Sequence, residues 1–209
     1  MRYPPGHKAK TREKILEAAG RVFRRQGYHA TGVDGVMEEA GLTAGGFYAH
    51  FASKQALLAE LFEYFRGQFN IKADDQATRT DVRKDLDAFV TRYLGDVHLQ
   101  KIEEGCPLAA LLSEVCRSDD SVKKGFEAMV LDFQRLATTQ GPDGQPAFNE
   151  EQALATLALC VGGIGLARSV QDGELAGKIL ESCKQAAQSI LDRGETPGFK
   201  AKPERKSTA

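Results

Sequence analysis

TGVDGVMEEAGLTAGGFYAHFASK, residues 31–54, is the stretch that decides the fold expected for this chain. Thr31 is a favourable N-cap, and the apolar residues that follow it lie on one face of a short helix. Gly41 ends that helix, and in the next short segment Phe47 and Phe51 lie one helical turn apart and point inward. Two short helices joined by a glycine-containing turn predict a helix-turn-helix unit, whose second helix enters the major groove of DNA.

The charge of the chain is unevenly distributed. The 209 residues carry a formal net charge of -1, which argues against a protein that coats DNA non-specifically, because phosphate affinity comes from local lysines and arginines. Five basic residues nevertheless cluster at the start: Arg2, Lys8, Lys10, Arg12 and Lys14. This cluster indicates a DNA-binding end, although a Lys-rich terminus that is merely solvated is the alternative.

The cysteines and histidines predict no metal site and no disulfide framework. The four cysteines show no CxxC or metal-ligand spacing, and the four histidines are scattered. Because the start lacks the apolar core of a signal peptide, we expect a cytoplasmic protein with reduced thiols. The most apolar run, residues 153–167, is shorter than the ~18 to 20 residues that a membrane-spanning helix needs, so we expect no membrane association.

Helical periodicity continues through most of the chain, and no strand or hairpin pattern occurs in the sequence, so the expected fold is all-α. We expect a flexible basic arm at 1–9, a three-helix helix-turn-helix domain at 10–52, a larger helical bundle at 53–194 and a disordered tail at 195–209. The predicted helix starts are Thr11, Ser53, Pro107, either Asp119 or Asp120, and Asn149, which forms a capping box with Gln152.

The last two long helices are apolar enough to require a large covering surface. Burial inside one large helical domain and pairing in a dimer explain this pattern equally well.

Several segments together resemble the TetR family of transcriptional regulators. They are the first-helix sequence ILEAAGRVFRRQGY (15–28), the recognition segment TAGGFYAHF (43–51) and the opening of a fourth helix, SKQALLAELF (53–62). The resemblance implies a homodimer that pairs through the last two long helices and binds a double-stranded DNA operator. It also implies that the helical bundle binds a small-molecule effector.

The resemblance further implies which residues contact DNA. The expected contacts are Thr31, Thr43, Ala44, Gly45, Gly46, Tyr48, His50 and Lys54. The four residues that open the recognition segment are small, so specificity is expected from backbone approach, thymine-methyl contact and DNA shape. Tyr48, His50 and Lys54 match the phosphate-contacting positions of the family. Taken alone, Tyr48 would be better explained as a packing aromatic and His50 as a surface residue.

The larger helical bundle, residues 53–194, contains two candidate effector-responsive features: a pocket and a cysteine. The expected pocket residues, each of which a helical core would also explain, are Phe62, Phe89, Tyr93, Leu111, Val115, Phe126, Met129 and Phe133. Cys106 precedes Pro107 at a predicted helix start, where the helix dipole would lower the pKa of its thiol and make it reactive. The stretch GCPLAALLSEVCRSD also resembles NemR-like members of the family, some of which respond to electrophiles or oxidants. A small buried hydrophobe is the alternative for Cys106.

We therefore expect a ligand- or thiol-responsive transcriptional regulator, a repressor that binds a palindromic operator. An activator of the same architecture is the first alternative. A helical small-molecule-binding protein or enzyme with a purely structural N-terminal unit is the second. No enzyme motif is found in the sequence. Gly163 and Gly165 imitate a dinucleotide-binding turn, but Arg168 stands where that turn needs its third glycine.

Overall fold

A computed structural model describes residues 6–69, 82–140, 146 and 148–192. Its helices are α1 (His7–Gln26), α2 (Val33–Glu39), a 3-10 helix (Ala44–Ala49), α3 (Lys54–Phe69), α4 (Val82–Tyr93), α5 (Asp96–Gln100), α6 (Pro107–Val115), α7 (Asp120–Ala137), α8 (Glu150–Arg168) and α9 (Gly173–Asp192). Within the described residues the only β-type pairing is an isolated bridge between Gln140 and Pro146. The all-α prediction is confirmed.

The N-terminal head, which we define as residues 7–51, forms around one apolar core. Phe23 of α1, Met37 of α2 and Phe47 of the 3-10 helix are each at most 1% exposed. Gly41 ends α2 as predicted, with a left-handed φ of 63° that a side chain would strain. The head is thus a compact helix-turn-helix unit whose inward residues match the predicted ones.

Thr31 does not cap α2, contrary to the prediction. The N-cap is Gly32, whose backbone is extended, and the helix has no side-chain cap. Thr31 is only 3% exposed, and its hydroxyl donates to the carbonyl oxygen of Gly27 at 2.8 Å. The side chain faces inward because the α1–α2 connection supplies this backbone partner.

The recognition segment is a 3-10 helix of six residues rather than an α-helix. Thr43 occupies its N-cap position, but the side chain makes no capping hydrogen bond. Gly45 and Gly46 explain the tighter winding, because glycine weakens an α-helix and short segments tolerate 3-10 geometry.

Two further boundaries differ from the sequence-based prediction. Helix α1 begins at His7, after Gly6 with φ 89°, so residues 7–9 are helical and not part of an arm. Thr11, the predicted cap, lies inside the helix and donates its hydroxyl to the carbonyl of His7 at 2.9 Å. Helix α5 was not predicted, because a five-residue helix is too short to show a periodic pattern.

The other predicted helix starts are confirmed. The hydroxyl of Ser53 accepts the N–H of Ala56, and the carboxylate of Asp119 accepts the N–H of Val122. Asn149 and Gln152 form both hydrogen bonds of the predicted capping box, at 2.8 and 3.0 Å. Pro107 occupies the first turn of α6. These caps involve only residues close in sequence, so tertiary packing does not alter them.

Helices pack closely in the larger half, which we define as the described residues from 54 to 192. A Cβ at Gly125 of α7 would lie 2.9 Å from the Cβ of Phe62, so α3 packs tightly against α7. A Cβ at Gly163 of α8 would lie 2.9 Å from the sulfur of Cys183 on α9. The apolar run around Gly163 therefore serves helix packing.

Helix α8 is not buried on all sides. Cys160 and Ile164 are fully buried, whereas Leu154 and Leu166 are 41% and 61% exposed. No helix among the described residues has the length and apolar character needed to cross a membrane. The predicted tail at 195–209 lies outside the described residues.

Candidate nucleic-acid interface

The 3-10 helix presents a nearly bare surface with one large side chain. Thr43, Ala44 and Gly45 are exposed, and a Cβ at Gly45 would meet no atom within 4 Å. Tyr48 is 71% exposed, with only an edge contact to the ring of Phe47. A ring placed in this way is available to a ligand and contributes little to the core.

Gly46, also predicted to contact DNA, is half-buried and lies under the side chain of Met37. A Cβ at this position would be 3.6 Å from the Cε atom of Met37, an ordinary contact distance. Gly46 thus lies closer to the core than Gly45, and the exposed surface of the segment belongs mainly to its first residues and Tyr48.

His50 ends the segment among positive charges. Its Nδ1 atom is buried and has no hydrogen-bond partner among the described residues. Burial lowers the pKa of His50, and the charges of Lys8, Arg12 and His7 lower it further. The basic first turns of α1 therefore converge on His50, where they form a positive surface suited to an anion.

Arg12 was placed only in a general basic cluster by the sequence, but it has a defined position. Its guanidinium lies 4.6 Å from the ring centroid of Phe51 and forms an ion pair with Glu60 of α3. The side chain remains 37% exposed. Arg12 thus links α1 to the end of the recognition segment and to α3 while keeping a solvent-facing surface.

Lys54 holds the connection between α1 and α2. Its Nζ atom donates to the carbonyl oxygens of Tyr28 and Thr31, at 2.9 and 3.0 Å. Burial lowers the pKa of Lys54, whereas the nearby charge of Glu114 raises it. The contact of Lys54 with phosphate stays a prediction, and the structure adds a role in positioning the backbone before α2.

Glu114 is an interacting residue that sequence analysis missed. It lies on α6, is 8% exposed, and accepts the N–H groups of Tyr28 and His29 in the head. Its spacing of three residues from Leu111 places it on the apolar face of α6. The sequence signal for Glu114 is a single carboxylate on an apolar helix face. Such a group is buried only when it has polar partners, so its position indicates a buried polar contact.

The residues predicted to line an effector pocket lie in the interior of the larger half. Phe62 and Leu111 are fully buried, and Tyr93, Val115, Met129 and Phe133 are at most 8% exposed, whereas Phe89 and Phe126 are half-buried. Aromatic contacts join the Phe89 ring to Tyr93 and Phe133, at centroid distances of 5.3 and 5.4 Å. Phe62 and Phe126 form a separate edge-to-face pair at 5.8 Å. Their role in ligand binding stays a prediction.

The predicted lowering of the Cys106 pKa is wrong. Cys106 does precede α6, where the N–H groups of Leu108 and Ala109 favour the thiolate. Burial of the sulfur nevertheless raises the pKa, since desolvation outweighs the favourable interactions of the thiolate with these N–H groups and with the Tyr93 side chain. The geometry therefore favours a neutral thiol. Among the described residues, no group of three or more His, Cys, Asp or Glu side chains is placed to hold a metal ion.

Comparison with known proteins relates the chain to one family of regulators. The family model described as bacterial regulatory proteins, tetR family, matches residues 15–61. The chain is 31% identical over 157 residues to the uncharacterized HTH-type transcriptional regulator YfiR of Bacillus subtilis, a match that covers 73% of this chain and 75% of YfiR. It is also 31% identical over 119 residues to the HTH-type transcriptional regulator LmrA of Bacillus subtilis. That match covers 54% of this chain and 62% of LmrA, less than two thirds of its length.

Solved structures share the fold of the chain. The reduced form of E. coli NemR aligns with a TM-score of 0.69 at 19% identity, covering 87% of this chain and 96% of NemR. A TetR-family regulator from Agrobacterium tumefaciens aligns with a TM-score of 0.66 at 18% identity, covering 86% of this chain and 98% of that protein. Both alignments extend over the larger helical half as well as the head.

Proposed function

The chain belongs to the tetR family of bacterial regulatory proteins, and we propose that it is a homodimeric, ligand-responsive repressor that binds a palindromic DNA operator. The exposed recognition segment carries this proposal, because Tyr48 is 71% exposed beside the basic surface around His50. A bare recognition helix flanked by cations favours phosphate contacts and DNA shape over side-chain hydrogen bonds to bases.

A homodimer would place two heads on successive major grooves about 34 Å apart. Helices α8 and α9 offer the surface for pairing, since Leu154, Leu166 and Leu175 are 41%, 61% and 45% exposed. A Cβ at Gly162 or Gly165 would meet no atom within 4 Å, so a partner helix has room to approach closely. An exposed apolar face with small residues is typical of helix pairing.

The effector site is proposed for the interior of the larger half. The cluster of Phe89, Tyr93 and Phe133 supplies aromatic surface, and the Thr156 hydroxyl is buried without a hydrogen-bond partner among the described residues. A small, largely apolar molecule with a hydrogen-bonding group suits these residues. Its binding would favour a conformer whose heads no longer fit the operator, by about 1 to 3 kcal/mol of coupling.

Tiled duplexes from the DNA flanking the gene test the proposal. Fluorescence anisotropy at several salt concentrations should reveal a sequence-selective complex that weakens as salt rises. Tyr48→Ala should weaken this complex, whereas Val97→Ala, at a side chain of equal exposure on α5, should not. If no duplex forms a selective, salt-sensitive complex at any protein concentration, the proposed function is wrong. The position of the bound duplex relative to the promoter then separates a repressor from an activator.

A further inference from the structure

Three contacts join the segment 103–115 to the end of α1 and the turn after it. Arg25 pairs with Glu103 at 2.9 Å, and Arg24 donates to the carbonyl oxygen of Gly105 at 2.9 Å. The third contact is the buried carboxylate of Glu114 described above. The head therefore contacts the larger half directly through the segment that contains α6, in addition to the covalent connection through α3.

The contact of Glu114 is built into the backbone of the α1–α2 connection. One oxygen atom, Oε1, accepts the N–H of Tyr28 and, at 3.3 Å, that of His29. Gly27 has φ 89°, and a Cβ on it would lie 3.0 Å from the same oxygen. The chain thus turns at a glycine that leaves room for the carboxylate and directs two successive N–H groups at it. The bond to Tyr28 is buried, and its loss would be unfavourable because a buried N–H would be left unpaired.

Lys54 holds the carbonyl groups of this connection. Its ammonium donates to Tyr28 and Thr31, while the carboxylate of Glu114 accepts from Tyr28 and His29. The backbone before α2 is therefore fixed between an anion from α6 and a cation from α3. The orientation of the head depends on where those two helices place their charges.

We propose that Glu114 is the positioning residue through which α6 sets the orientation of the head relative to the larger half. Helix α6 also places Leu111 and Val115 in the apolar interior, within one turn of Glu114. A molecule that displaces α6 therefore moves the carboxylate, which either carries the α1–α2 connection with it or leaves the buried N–H of Tyr28 unpaired. The inference rests on the proposed DNA-binding function and names a residue for its regulation.

Amide hydrogen exchange of the full-length protein tests this assignment. The variants are Glu114→Gln, which keeps a side-chain oxygen acceptor, and Glu114→Leu, which fills the space without one. Glu103→Ala is the matched control, because it removes a contact between the same two regions at the surface. The probe is the flanking-DNA duplex that the wild-type protein binds most tightly.

DNA binding should slow exchange within residues 107–115 in the wild type, in Glu114→Gln and in Glu103→Ala. In Glu114→Leu this DNA-induced protection should be lost, although the head still binds the duplex. A merely structural role would lower the melting temperature but leave the protection of α6 in place. Equal protection in Glu114→Leu, or its loss in Glu114→Gln, would overturn the proposal.

Failure of the proposed DNA-binding function can be distinguished from failure of the Glu114 assignment. If no duplex is bound, the DNA-binding function is wrong, and exchange in the free protein still tests the contact. The Tyr28 and His29 amides should then exchange faster in Glu114→Leu than in Glu103→Ala, and equal rates would overturn the assignment. If Glu114→Leu does not fold, Glu114→Asp replaces it, because the shorter side chain withdraws the acceptor while keeping the charge, and the same losses are expected.

Discussion

The Nζ atom of Lys54 lies 2.9 Å from the carbonyl oxygen of Tyr28 and 4.2 Å from the centroid of the Tyr28 ring. The ammonium therefore contacts both the backbone and the π face of one residue, and it also reaches the carbonyl oxygen of Thr31. Helix α2 begins two residues after Thr31. A residue proposed to contact phosphate thus also fixes the entry to the helix-turn-helix.

Replacing Lys54 by Met should lower both stability and DNA affinity. The loss of charged hydrogen bonds to Tyr28 and Thr31 should lower the free energy of unfolding by about 1 to 3 kcal/mol, measurable by urea denaturation. If the lysine also contacts phosphate, the slope of log affinity against log salt should fall by about 1. Lys54→Arg keeps the charge and serves as control. An unchanged slope in a destabilised Lys54→Met would show that the role is structural alone.

Lowering the pH should lower the stability of the larger half, because the folded state disfavours protonation of His98. The Nε2 atom of His98 accepts the N–H of Cys106 at 3.0 Å, so Nδ1 carries the proton and donates to the carbonyl of Tyr93 at 2.7 Å. Burial lowers the pKa of His98, the bond to Tyr93 raises it, and the charge of Arg168 lowers it. The folded protein therefore requires a neutral imidazole.

The sign of the pH dependence follows from that lowered pKa. Below about pH 6.5, the usual pKa of histidine, the unfolded chain binds a proton that folded His98 resists, so stability falls as the pH falls. Melting temperatures at pH 7.5 and 5.5 should show this loss, and His98→Gln should reduce it. Some loss should persist in the variant, because the pKa of His50 is lowered as well. An equal loss in wild type and His98→Gln would contradict the assignment.

The four cysteines should react with iodoacetamide in an order set by burial. Cys116 is exposed, whereas burial raises the pKa of the Cys106 thiol and raises that of Cys160 to about 12. Because the thiolate is the nucleophile, Cys116 should be alkylated first and Cys160 last, as followed by mass spectrometry of peptides. Cys116→Ser should remove the fast phase. Rapid labelling of Cys106 in that variant would contradict the raised pKa of its thiol.

Local sequence signals predicted the helices and their ends well. The caps at Ser53 and Asp119 and the box formed by Asn149 and Gln152 depend only on neighbouring residues, and all are present. The apolar periodicity likewise predicted the buried residues of the head, including Phe47 and its inward partner one turn later. Such features depend on residues within about four positions of one another, so they can be predicted from the sequence alone.

The errors arose where distant residues decide the outcome. Thr31 has the composition of a cap, but in the fold it is only 3% exposed and its carbonyl oxygen accepts a hydrogen bond from Lys54 of α3. Cys106 stands at a helix start, yet packing of other elements over its sulfur reverses the expected pKa shift. The partners of Glu114 lie more than eighty residues earlier in the chain. No local pattern specifies a buried contact of that kind.

Substitution of one exposed leucine should separate the proposed dimer. Leu166 on α8 is 61% exposed, on a helix where Gly162 and Gly165 leave open space for a partner. Leu166→Glu would place a charge in an apolar interface without a partner, which strongly disfavours pairing, while the isolated protomer keeps the charge in solvent.

Sedimentation velocity should therefore show a dimer for the wild type and a monomer for Leu166→Glu, with helical content unchanged by circular dichroism. Leu131→Glu is the matched control, because Leu131 lies on α7 and is 38% exposed. Since two heads joined in one dimer bind an operator with a high effective concentration, Leu166→Glu should also lose most operator affinity, whereas Leu131→Glu should not. A Leu166→Glu protein that stays dimeric would exclude this face of α8 from the interface.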